Sequence, residues 1–275
     1  MPSQQIAQNL AFINWTILSG LAIGSYAAVV LGQFRTTATK GYLGFVAFTA
    51  AVFGGLALLA DGALPARGGD LVGIDTTIRT YGLVALSLAA LMTTISIARA
   101  ERSRFLAIAG LTAAVLALAG AALAWSDGSA IGAALLFVQL GVLAAATGGV
   151  WAAMILGHWY LVTPKLPEAP LVLFARILLA IVGLQVVLFA VWLATGAGPA
   201  GHGGFAELTG PWAIFVWLRF VVGLIFPLVV SWAAIQTART RSMESATGLL
   251  YINVGSIAAG TILAAGLYFG AGILA

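Results

Sequence analysis

Apolar residues run along this chain in long blocks, interrupted only by short clusters of Gly, Pro, Asp and basic residues. A helix needs about 20 apolar residues to cross a ~30 Å hydrocarbon core, and the blocks have that length. They predict helices near 10–32, 41–60, 80–98, 105–125, 131–160, 170–194, 212–236 and 246–273. The breaks carry turn chemistry: Asp61-Gly62 with Pro65, Asp127-Gly128, Pro164 to Pro170, and Gly196 to Gly204. Without water in the bilayer, each span must close its own backbone hydrogen bonds, and these blocks are too long for barrel strands. The pattern predicts an all-α polytopic membrane protein with eight transmembrane helices.

Composition agrees and narrows the chemistry. Only 7% of the 275 residues are charged and mean hydropathy is +1.09, whereas a soluble domain is roughly a quarter charged. There is no cysteine, with two histidines and eight carboxylates. Disulfides, thiolate metal sites and Cys-ligated iron–sulfur clusters are excluded for this chain. The basic surplus of four charges reads as a topology signal, with no nucleic-acid partner expected. Arg35 and Lys40, then Arg99, Arg102 and Arg104, then Lys165, then Arg239 and Arg241 mark the odd-numbered connections as cytoplasmic. The second connection is ambiguous, since Arg67 and Arg79 are offset by Asp61, Asp70 and Asp75. The expectation is a protein integral to the plasma (inner) membrane with both termini on the outer, periplasmic side. Met-Pro-Ser-Gln-Gln lacks the basic start of a secretory signal, so no cleaved leader is expected.

An internal likeness divides the chain. Gly24 to Gln33 (GSYAAVVLGQ) matches Gly149 to His158 (GVWAAMILGH) at five of ten positions. Leu59 to Ala66 matches Leu193 to Ala200, and Ile95 to Arg99 parallels Ile235 to Arg239. These matches fall in the same order at corresponding helix ends. They predict two parallel-repeat four-helix bundles, 1–128 and 129–275, rather than the inverted repeat of many transporters. The halves diverge where Gln33 aligns with His158, Asp61 with Thr195 and Arg67 with Gly201. Gly20, Gly24 and Ala28 form one small-residue stripe and Gly266 with Gly270 another, suited to close helix packing in lipid.

Polar residues inside the spans supply the candidate chemistry. His158, in Gly157-His158-Trp159-Tyr160, is either a quinone or haem contact and proton donor or an interfacial histidine beside the aromatic belt of Trp159 and Tyr160. A bis-His haem is not expected, because His202 lies in the outer loop some ~30 Å away, and neither is a single haem on a His and a non-His ligand. Arg219 is the deepest cation, about 10 Å along its helix from Trp212. It is either a functional charge with Glu207, Asp61 or Asp127 as partner, or a snorkelling or structurally paired residue. Pro227 should kink that helix. Arg176 can snorkel more easily. Asp61 is a proton relay or a helix-end turn residue. Asn14, Gln139, Gln185, Tyr251 and Asn253 are read as buried hydrogen-bonding groups, fit to hold quinone carbonyls or to glue helices. No Walker loop, HExxH or nucleophile elbow occurs.

Gly20-Leu-Ala-Ile-Gly-Ser25, Leu58-Leu-Ala-Asp-Gly-Ala-Leu-Pro65 and Val222-Gly-Leu-Ile-Phe-Pro-Leu228, set in eight spans, resemble the NrfD/polysulfide-reductase membrane-subunit family. Asp61 is followed here by Gly-Ala, where that family carries Leu-Gly. The resemblance implies a subunit without a cofactor of its own, non-catalytic alone, that binds quinone (menaquinone or ubiquinone) near one membrane face. It also implies electron exchange with a peripheral iron–sulfur or metal-containing redox subunit. The competing expectations are a small-solute or ion transporter and a non-catalytic structural or assembly subunit.

Overall fold

The computed structural model describes residues 1–65, 73–163, 165–199 and 204–275. The expectations for Arg67, Asp70, Pro164, Gly201 and His202, and the Ala66 and Ala200 ends of one repeat match, fall outside these residues. Among the described residues there is no strand. The helices are α1 (Pro2–Gln8), α2 (Leu10–Arg35), α3 (Lys40–Gly62), α4 (Ile74–Ala98), α5 (Arg104–Trp125), α6 (Ala130–Val162), α7 (Ala169–Thr195), α8 (Ala213–Phe220), α9 (Phe226–Arg239) and α10 (Met243–Ala271). A π-turn, Val221–Ile225, joins α8 to α9. Helices α2 to α7, the composite α8–α9 and α10 are long and apolar enough to cross a membrane, eight spans in all. The chain is an integral membrane protein. Phe45, Phe48, Val52 and Leu56 of α3, like Leu184, Val187 and Val191 of α7, point outward, as helices solvated by hydrocarbon require.

Helices α2 to α5 pack in sequence, and α6, α7, α9 and α10 form the second group. The groups meet through α2 on α6, with α5 beside α6 and α10 beside α2. Lipid tails are as apolar as leucine, so close backbone approach must hold this contact. A Cβ on Gly24 would fall 2.0 Å from the Ala144 carbonyl oxygen and 2.8 Å from Gly148 Cα. One on Gly148 would fall 2.2 Å from the Ser25 amide. Only glycine fits either position, and the Gly20–Gly24 stripe lies against α6 as its spacing suggested. Gly266 and Gly270 behave differently. They face the side chains of Ile6 and Trp212, so they seat bulky groups rather than bring two backbones together.

Two departures from the predicted elements bear on the site. Helix α4 begins at Ile74, not near 80, with Asp75 in its first turn. An acid there is favoured by the helix dipole, so this charged stretch belongs to the helix. In the seventh span Pro227 has no N–H to donate, and the irregularity extends back over the π-turn.

Candidate functional site

The most concentrated chemistry lies where α3 ends and α4 begins. Asp61, in the last turn of α3, and Arg79, in the second turn of α4, are both buried. Arg79 Nε donates to Asp61 Oδ1 at 2.6 Å, and Thr80 Oγ1 donates to Asp61 Oδ2 at 2.5 Å. The guanidinium carbon stands 5.1 Å from the centre of the Trp125 ring, a cation–π arrangement. Gly120 permits it: a Cβ there would lie 2.5 Å from the Arg79 amide, so α5 runs close against α4 and brings Trp125, five residues on, over the arginine. Trp125 also meets Phe12, Trp15 and Phe269 ring to ring, with centroids 4.7–5.4 Å apart. Tyr268 Oη donates to the Trp125 carbonyl at 3.0 Å. Rings from α2 and α10 therefore hold Trp125 in place.

This cluster borders a cavity of about 550 Å³ whose lining includes Phe12, Leu58, Asp61, Asp75, Arg79 and Trp125. Among the described residues it has an aromatic wall, one guanidinium and two carboxylates at the end of the bundle. Such a lining can hold a planar group by stacking, donate to its oxygens and take up a proton nearby.

The other expected site residues do not join it. His158 is exposed near the opposite end of the bundle, with Nδ1 3.4 Å from Tyr251 Oη. Trp159 packs on the start of α3, its ring 2.7 Å from where a Gly41 Cβ would be. Tyr160 is buried and donates to the Pro167 carbonyl. Gln139 donates to the main-chain oxygen of Ala275 at 2.9 Å. Asn14 and Tyr251 are exposed rather than buried, because the α2 and α10 faces that carry them turn away from the bundle. Asn253 is buried and donates to Ser231 Oγ at 2.8 Å, joining α10 to α9.

Arg219 is 1% exposed, and it does not snorkel. Its Nη2 donates to Gln185 Oε1 at 2.8 Å and its Nη1 to the Gly223 carbonyl at 3.2 Å, while Nε has no partner. Of the carboxylates proposed for it, Asp61 is taken by Arg79 and Asp127 by Ser129. No carboxylate among the described residues forms an ion pair with Arg219.

The sequence reading missed Arg79, Thr80 and Trp125. A signal for the first was present: Asp61 and Arg79 flank one connection between antiparallel spans, where helix ends meet. Treating Arg79 as a loop charge hid it. Comparison with family models, curated proteins and solved structures finds no match for this chain.

Proposed function

We propose that this protein is the quinone-interacting membrane anchor of a multi-subunit respiratory oxidoreductase in the plasma membrane, with both termini on the outer side. The cavity beside Asp61 and Arg79 receives the quinone head group. The observation that carries this reading is a buried carboxylate–guanidinium pair opening onto an aromatic-walled cavity at the end of the bundle, where a lipid-soluble ring can enter sideways. Trp125 and Phe12 offer faces for stacking. Arg79 offers a cationic donor to a carbonyl oxygen, and Asp61, with Asp75 beside the cavity, accepts the protons released when a quinol is oxidised. The electrons pass to a peripheral iron–sulfur or metal-containing partner, since the chain has no thiolate to hold a cluster. Internal duplication accounts for one half having kept the acid–base pair while the other carries Arg219 alone.

The test is titration of the purified chain with ubiquinone and menaquinone analogues, read by quenching of tryptophan fluorescence, alongside extraction of the native complex. Saturable quenching, weakened several-fold in Thr80→Val and Asp61→Asn, is the expected result. No saturable quenching by either analogue, together with a native complex free of quinone and redox subunits, overturns the reading.

A further inference from the structure

At the opposite, cation-rich end of the bundle a crevice opens between α2 and α7. At its mouth is a cavity of about 710 Å³ lined by Phe34, Arg35, Thr36, Thr37, Pro170 and Leu173, among others. Within one turn on both helices a narrow slot of about 110 Å³ continues into the membrane-spanning region. Leu31 precedes Phe34 on α2 and Phe174 follows Leu173 on α7, so head cavity and slot adjoin. Among the described residues the slot is lined only by apolar ones, including Ala28, Leu31, Phe174 and Ile177, and is floored by Ala145 and Gly149 of α6. Gly149 keeps the floor open: a Cβ there would meet nothing within 4 Å.

The charge at the mouth is one-sided. Arg35 is exposed and forms no ion pair among the described residues. Arg176, exposed on α7 three residues after Leu173, is likewise unpaired, and an arginine about 10 Å into a helix extends its head toward the interface. The nearby carboxylate, Glu168, is engaged by Arg241 at 3.3 Å. Among the described residues, the Arg35 guanidinium and the Thr37 hydroxyl thus line a cavity with no acid in its lining, with Arg176 one turn beyond it on α7, directly above a slot that takes a few methylenes of an acyl chain.

From this geometry we propose that the α2–α7 crevice is a binding site for an anionic phospholipid, its phosphate held by Arg35 and Arg176 and one acyl chain laid in the slot over Gly149. Basic pockets between spans suit anionic headgroups for the same electrostatic reason. A free phosphate would satisfy the arginines but leave the slot unexplained, which is why the lipid is the occupant.

The experiment is native mass spectrometry of the full chain after exchange into phosphatidylglycerol or phosphatidylcholine with identical acyl chains. The wild type should retain phosphatidylglycerol about tenfold more strongly, and Arg35→Gln with Arg176→Gln should remove that preference. Arg102→Gln with Arg104→Gln removes the same charge elsewhere on this face and should leave it intact. Gly149→Leu should weaken retention of both lipids without lowering the melting temperature. Equal retention of the two lipids by the wild type, an unaltered preference in the Arg35/Arg176 variant, or an equal loss in the Arg102/Arg104 variant overturns the site. Displacement of the lipid by millimolar inorganic phosphate also overturns it.

Discussion

Arg79 and Arg219 are both buried arginines, 20 residues before Arg99 and Arg239 respectively, yet among the described residues only Arg79 of the two pairs with a carboxylate. Arg79 bonds Asp61 and lies over Trp125. Arg219 bonds two neutral oxygens, those of Gln185 and Gly223. The reason is local. Pro227 cannot supply the N–H that an α-helix would direct at the Gly223 carbonyl. The guanidinium fills that vacancy, so Arg219 mends the break that the proline makes in its helix.

Substitution at Arg219 should therefore lower stability even though the residue has no ion pair. Lysine keeps the charge but cannot span both acceptors. Arg219→Lys should cost about 1–3 kcal/mol for the acceptor left unpaired in the interior. Gln185→Leu should cost a similar amount. Thermal unfolding in micelles checks both, and an unchanged midpoint in each would refute the role.

The Asp61–Arg79 pair makes the opposite kind of prediction. Removing one partner strands a buried charge, so Asp61→Ala should cost about 3–5 kcal/mol. Replacing both, as Asp61→Leu with Arg79→Met, should recover most of that stability while abolishing quinone-dependent quenching. A double-mutant cycle on the unfolding midpoint measures the coupling; additivity would show that the two groups do not interact.

Adjacent glycines on α6 should respond in opposite ways. Gly148→Ala forces a Cβ onto the α2 backbone, which has no flexible end to yield, and should destabilise by about 1–3 kcal/mol or more. Gly149→Ala points into open space and should gain up to about 1 kcal/mol from helix propensity. Comparing the melting points of the two variants settles it.

Asp127, in the connection between α5 and α6, has its pKa held below the ordinary 3.8 by hydrogen bonds from the Ser129 side chain and backbone. A depressed carboxylate stabilises the fold above its unfolded pKa, and that contribution disappears as pH falls through the lower, folded value. Ser129→Ala should raise the Asp127 pKa toward 3.8, readable by carbon-detected NMR titration of the carboxyl group.

The sequence by itself determined the eight spans and most of their ends, because the bilayer permits only continuous apolar helices and leaves polar residues at the breaks. It also marked Asp61, Arg219 and the Gly20–Gly24 stripe as places where lipid alone could not explain the residue. Partnership was decided only in three dimensions. Exposure of Asn14 and His158 depends on which face of a helix turns inward, and in a helix apolar all round no hydrophobic stripe reports that face. The pairing of Asp61 with Arg79, rather than with Arg219, depends on how α3 ends against the start of α4, and the cover of Arg79 by Trp125 on how closely Gly120 lets α5 approach α4. Both are properties of backbone packing, and the sequence alone does not state which helices come within reach of one another.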